Sequence, residues 1–174
     1  MSGTGESKYS WTYGVRFIPD AIDRAKWRNT LTYQVTSRLS LGIEYNPLAG
    51  RVSPLANYVL VTENASRPAI ILGTSSDRIG TPSGQSFYAT VSKDLERETG
   101  LPIAPYAGVT FGTFENKFRP IGGLSVRLPL GFSSTVLFDG VKVHPLAGYG
   151  RGRHQLGFIL VEGKRPGFNY NVSF

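Results

Sequence analysis

Residues 168–174, Phe168-Asn-Tyr-Asn-Val-Ser-Phe174, place Phe168, Tyr170, Val172 and Phe174 on one face of an extended segment and Asn169, Asn171 and Ser173 on the other. Strand side chains alternate between two faces. This stretch therefore reads as a strand with one face in an apolar medium and the other against water or a polar interior. The pattern recurs upstream, where Trp11, Tyr13, Val15 and Phe17 stand opposite Thr12, Gly14 and Arg16 before Pro19-Asp20 ends the segment. From 30 to 46, Leu31, Tyr33, Val35, Leu39, Leu41, Ile43 and Tyr45 hold odd positions, and Thr30, Thr32, Gln34, Thr36, Arg38, Ser40, Glu44 and Asn46 hold even ones. That run is either one long strand or a hairpin turning at Thr36-Ser37-Arg38. A two-residue loop would swap the apolar face across the turn, so an unbroken parity admits the hairpin only with an odd loop.

Further strands are expected near 57–64, 69–76, 85–94, 103–114, 119–130, 134–144, 153–162 and 167–174. Breaks fall at 47–54, 65–68, 80–84, 96–102, 115–117, 146–152 and 163–167, and Asp139-Gly140 reads as a bulge inside a strand rather than a turn. Counting 30–46 as one strand gives ten, and splitting it gives eleven. Even numbers are the rule for single-chain bacterial barrels, so eleven would require one more strand. The expectation is ten to twelve. The 174 residues include 21 Gly, 9 Tyr and 10 Phe, a composition suited to pleated strands and tight turns. Segment 21–28 offers at most one helical turn. A flexible segment 1–7 is expected ahead of a single β-barrel domain over 8–174. With no cysteine, neither a disulfide framework nor thiol chemistry is available.

The carboxy-terminal stretch resembles the last strand of Gram-negative outer-membrane β-barrels, which ends in Phe with apolar residues at alternate positions before it. The resemblance implies an all-β fold, a closed antiparallel transmembrane β-barrel of about 10–12 strands in the bacterial outer membrane. Its partners would be outer-membrane lipids, lipopolysaccharide and the barrel-assembly machinery, which would recognise Phe168, Tyr170, Val172 and Phe174. Trp11, Tyr13, Phe17, Tyr33, Leu41 and Tyr45 would face lipid. Residues 1–7 hold neither the basic region nor the apolar stretch of a secretory signal, so a signal is expected in the native precursor. On the polar face, Arg16, Glu44 and Arg127 are expected to form a network that blocks the lumen, because an unpaired buried charge is too costly to keep.

The net charge of +7 is interspersed, and its densest basic stretches, 24–28, 151–154 and 164–165, lie in expected turns. They suit solvated loops or lipopolysaccharide phosphates better than nucleic acid, which calls for a basic stripe with aromatic platforms. His144 and His154 are expected near one another at strand ends as ordinary rim residues. A catalytic zinc would want a third ligand, and Asp139 falls on the opposite strand face, so no metal or other cofactor is expected. Ser133 or Ser134 with His144 or His154 and Glu162 could nominally compose a hydrolase, but no nucleophile motif surrounds either serine. The glycine-rich stretch 147–153 lacks the phosphate-loop pattern and reads as a hairpin loop. No catalytic residue is assigned. The reading is a non-enzymatic structural or binding element with a largely plugged polar lumen. A narrow solute channel, a soluble lipocalin-like carrier and an outer-membrane lipid hydrolase are the alternatives. A carrier would turn its aromatics inward and its charges outward, and a membrane barrel the reverse.

Overall fold

In the computed structural model, which describes residues 9–174, the periodic run of 30–46 resolves into a hairpin. Its strands are β2 (Trp27–Gln34) and β3 (Leu39–Asn46), and the Val35 N–H donates to Leu39 O at 2.8 Å around a three-residue loop. The odd loop is what lets the apolar parity run through the turn. The segment 1–7, expected to be flexible, lies outside the described residues. Ten more strands complete the chain: β1 (Trp11–Phe17), β4 (Arg51–Val61), β5 (Ala69–Ser76), β6 (Gln85–Ser92), β7 (Ile103–Gly112), β8 (Lys117–Arg127), β9 (Phe132–Phe138), β10 (Val143–Arg151), β11 (His154–Val161) and β12 (Arg165–Ser173). Each pairs antiparallel with its sequence neighbour, and β1 pairs with β12 to close a twelve-stranded barrel.

Three expectations are corrected here. The expected strand 134–144 is two strands, because Asp139-Gly140 makes a turn: Asp139 Oδ1 accepts the N–H groups of Val141 and Lys142 at 2.9 and 2.8 Å, and Gly140 adopts φ +91°, open to glycine at little cost. The expected loop 146–152 lies almost wholly within β10, the strand that raises eleven to twelve. The expected break 47–54 ends at Gly50, since only Pro47–Ala49 forms a 3₁₀ turn and Pro54 sits within β4 opposite Ile43.

The register carries one parity around the ring. Inward positions include Thr12, Thr30, Asn57, Thr90, Thr135 and Asn171, small polar groups suited to a wet interior. Outward positions hold Trp11, Tyr13, Phe17, Leu41, Ile43, Tyr45, Phe87, Phe118, Leu156 and Phe168, all exposed. Among outward strand positions the one Asp, Glu, Lys or Arg is Arg151, the last residue of β10.

The end carrying Trp11 and Phe174 is called the near end, the opposite one the far end. A short helix α1 (Asp23–Lys26) lies in the β1–β2 connection at the far end. There Ile18, Ala21 and Ala25 meet the inward side chains Ile159 and Val161 of β11, with Ile79 and Leu146 packed alongside. This small cluster caps one end of the barrel rather than filling its length. A second short helix, α2 (Glu96–Thr99), lies in the near-end connection between β6 and β7.

Candidate functional site

The lumen begins with Glu44, which points inward from β3 and has 0% exposure. Its Oε2 accepts from Arg28 Nε at 2.5 Å, an ion pair between adjacent strands. Arg16 on β1 lies directly opposite Arg28 and, on its other side, opposite Asn169. It feels the charges of Arg28, Glu44 and Arg24, yet its buried Nε has no hydrogen-bond partner. Arg16 and Glu44 are thus brought together, with Arg28 as the third member. Parity could have supplied Arg28, since it lies two residues before Thr30 on the same face.

Arg127 is placed apart from them. It ends β8 at the near end, where its guanidinium donates to Asp94 at 2.6 and 3.2 Å and to Glu96 at 2.6 Å. Those bonds tie down the connection carrying α2, and the hydrogen bonds from Arg127 hold the Asp94 carboxyl below its ordinary value. A side chain at a strand end reaches the rim loops instead of the mid-lumen.

Arg24, in α1, is the far-end latch. Only 3% exposed, it donates from Nε to Thr81 O at 2.6 Å and from its terminal nitrogen to Asp77 O at 2.9 Å, Arg78 O at 2.5 Å and Thr81 Oγ1 at 3.1 Å. These bonds fasten the β1–β2 connection to the β5–β6 connection across the barrel mouth. No local pattern pairs residue 24 with residues 77–81, so this contact left no trace in the sequence.

Beside the latch, a cavity of about 200 Å³ runs along β5 to β9. Ser86, Thr110, Tyr88 and Tyr106 form its polar wall and Ile121 and Leu137 its apolar one. The two phenol rings lie across Gly73 and Gly123, where an added Cβ would collide with them, so they hug the wall and leave the middle open. Arg78 and Arg119 both bind Glu115 at the cavity edge, at 2.8 and 2.9 Å, and hold its carboxyl down at about 2.

The two histidines lie at opposite ends of the barrel, correcting their expected proximity. His144 at the start of β10 is 2% exposed rather than a rim residue. The Glu162 N–H donates to His144 Nδ1 at 3.2 Å, so the ring proton sits on Nε2 and is donated to Asp139 Oδ2 at 3.1 Å. The turn at 139–142 brings Asp139 round to His144, against the expectation of opposite faces. Burial works to raise the Asp139 carboxyl, and the hydrogen bonds from His144 and from the Lys142 and Val141 N–H groups outweigh it, leaving it below its ordinary value. Nδ1 spends its lone pair on the Glu162 N–H and Nε2 its proton on Asp139, so His144 has no free ring nitrogen to present to a serine. His154 faces outward at the near end against the Tyr170 hydroxyl at 2.6 Å. Ser133 pairs with Gly148, four residues along β9 from the partner of His144 and roughly 13 Å away at strand rise, and Ser134 faces outward. The nominal hydrolase set is therefore not assembled. Among the described residues no group of three His, Asp or Glu side chains could hold a metal ion.

On the outer wall, Trp11 and Tyr33 contact at 4.7 Å and Phe132 and Tyr149 at 4.9 Å near one end, while Phe17 meets Trp27 at 6.0 Å and Phe111 meets Phe118 at 4.9 Å near the other. Phe168, Tyr170 and Val172 share that wall, and the Phe174 and Trp11 backbones exchange two hydrogen bonds of 2.9 Å. Compared with known proteins, the chain matches no family model and no curated sequence.

Proposed function

We propose that this chain is a transmembrane β-barrel of the bacterial outer membrane, a non-enzymatic structural or binding element whose lumen is blocked at one end. The supporting observation is the direction of the amphipathicity: large apolar side chains cover the outer wall, while Ser, Thr, Asn, Arg and Glu line the inner one. In water such a wall would expose far more contiguous apolar surface than a soluble monomer tolerates, whereas in hydrocarbon it is the matched surface, and closure satisfies the strand backbone. Aromatic pairs toward both ends suit the two membrane interfaces. Phe168, Tyr170, Val172 and Phe174 are the proposed recognition element for barrel assembly, and the loop cations the proposed contacts for lipopolysaccharide phosphate. The same polarity weighs against the lipocalin-like carrier.

Flotation of refolded protein with lipid vesicles on a density gradient tests this reading. The chain is expected to float with the vesicles, resist carbonate extraction and migrate differently on gels before and after boiling. Recovery as a folded monomer in detergent-free buffer would overturn it. A narrow solute channel is the second reading, favoured by the small polar lining of the barrel middle. It predicts discrete conductance steps in planar bilayers, and the blocked lumen predicts little or none.

A further inference from the structure

The charges around the cavity of β5 to β9 cancel. Asp77, Glu115 and Asp139 border it against Arg78, Lys117 and Arg119, three of each sign. Glu115 is held between the two arginines, Asp77 takes the N–H groups of Arg78 and Phe114, and Asp139 takes those of Val141 and Lys142 together with the His144 ring. Lys117 has no ion-pair partner among the described residues, and it stands exposed at the start of β8, where water and salt screen it. A charged solute would leave water here without a bare counter-charge to receive it, a loss that buried ions seldom recover. The site suits a neutral occupant.

Its hydroxyl wall has a consistent polarity. Ser75 donates its proton to Ser76 O at 3.1 Å, Thr110 to Phe87 O at 3.2 Å and Tyr88 to Asn57 Oδ1 at 2.5 Å. The oxygens of Ser86 and Thr110 lie 2.5 Å apart, and with the Thr110 proton on Phe87 O it is Ser86 that donates between them. All four oxygens therefore keep lone pairs for whatever fills the cavity, and none keeps a proton. Tyr106 is the exception. Its hydroxyl bonds no other described residue and lines the cavity with its proton available.

The remaining surface is apolar. An added Cβ at Gly73 would stand at nearly equal distances from Cζ, Oη and Cε2 of Tyr88, so that ring lies flat on the glycine and turns its other face to the cavity. Ile121 and Leu137 add aliphatic surface. The volume of about 200 Å³ would hold roughly seven waters at about 30 Å³ each, but those against the phenol face, Ile121 and Leu137 would lack partners. It is also below the roughly 300–1,000 Å³ of pockets for drug-sized ligands, and so takes a single ring. The cavity is open on one side and reaches Lys117 at the far rim, which gives a solute a way in. An anion would bring no protons to the four acceptor oxygens, and a hydrocarbon would leave them dry. A ring with C–H faces and several hydroxyl groups meets every demand: its protons go to Ser75, Ser86, Thr110 and Tyr88, one of its oxygens accepts from Tyr106, and its faces cover the apolar surface.

We infer that this cavity is a binding site for one neutral polyhydroxylated ring, a monosaccharide or cyclitol. This goes beyond the proposed function and does not require the membrane reading. The inward side chains of the closed barrel make the cavity, so failure of vesicle flotation would leave the site untouched, and failure of the site would leave the barrel's location untouched.

The test is saturation-transfer difference NMR on the folded full chain in dodecyldimethylamine oxide, a detergent without a sugar headgroup. The probes are glucose, galactose, mannose and myo-inositol. Native protein should transfer saturation to the ring C–H protons of at least one probe, saturably. Tyr106→Phe should weaken that binding by roughly threefold to tenfold, as loss of one neutral hydrogen bond requires. Ile121→Phe, which puts a ring into the cavity, should abolish it. Ser133→Ala, which removes an inward hydroxyl outside the cavity, should bind like the native chain. Tetramethylammonium chloride is the cationic arm: transfer to it alone would assign the lone pairs and the phenol face to an ammonium ligand and overturn the inference. So would absence of transfer to all four probes, or equal affinity in Tyr106→Phe. Should Ile121→Phe fail to give the heat-modifiable folded form, Tyr106→Phe decides alone, because the hydroxyl it removes supports no bond in the chain.

Discussion

His144 and His154 are the same residue type in different circumstances, and the difference is measurable. His144 bridges two far-end turns through both ring nitrogens, so His144→Ala would take the ring partner from Asp139 Oδ2 and from the Glu162 N–H, while Asp139 Oδ1 keeps the Val141 and Lys142 N–H groups. A loss of about 1–3 kcal/mol is expected from unfolding in denaturant. His154→Ala removes an exposed contact to Tyr170 on the outer wall and should cost a few tenths of a kcal/mol at most. Glu115 gives a pH signature. Its carboxyl is held near 2 in the folded chain by Arg78 and Arg119, against an ordinary value of 4.5. A depressed folded value means that the native state favours the ionised form, so this contribution is fully present above pH 4.5 and fades as pH falls toward 2. Thermal unfolding of native and Glu115→Gln protein should therefore converge at the acid end of that window and diverge above it. Parallel curves from pH 2 to 7 would show that the two arginines do not hold the carboxylate.

Among the elements, the connection carrying α1 decides whether the barrel is blocked. Arg24→Met keeps much of the side-chain bulk but takes the guanidinium donor from the carbonyls of Asp77 and Thr81, and from that of Arg78, which keeps the Gly80 and Thr81 N–H groups. A destabilisation of about 2–4 kcal/mol is expected, since bonds to a charged donor are the stronger kind. Conductance in planar bilayers should rise with it as the far end loosens. What could be read in the sequence followed where alternation was intact. β1, β2, β3 and β12 were visible because every inward residue is polar or Gly and nearly every outward one apolar. β10 was hidden because its inward face runs His144, Leu146, Gly148, Gly150 and its outward face includes Pro145 and Ala147, so contrast vanishes. The front of β4 was hidden by Pro54 and by the inward Leu55. Within the site, Arg16 and Glu44 were legible as mid-strand residues of one parity. Arg127 was misplaced because parity reports a face but not a height. Arg24 was missed because its partners lie 53 to 57 residues away in another connection.

At the scale of the whole molecule, deletion of 168–174 removes both neighbours of β12 from their ladders and opens two edges at once. The truncated chain is expected to lose the gel shift between unboiled and boiled samples, and a persistent shift would show that eleven strands can close on themselves. Eleven of the twelve seams join strands adjacent in sequence, and the last, where Thr12 and Ser173 share a hydrogen bond, spans 161 residues. Bringing such distant ends together costs about 4–5 kcal/mol of chain entropy through the logarithm of loop length alone. Folding should therefore proceed as a series of cheap hairpins followed by one slow event, and substitutions along the β1–β12 seam should retard it. That penalty belongs to where the polypeptide is cut, not to the ring. A circular permutant that links residue 174 to residue 9 through a short flexible tether and begins instead at Ser37 would keep every strand pair, yet shift the late, slow event to the β2–β3 seam.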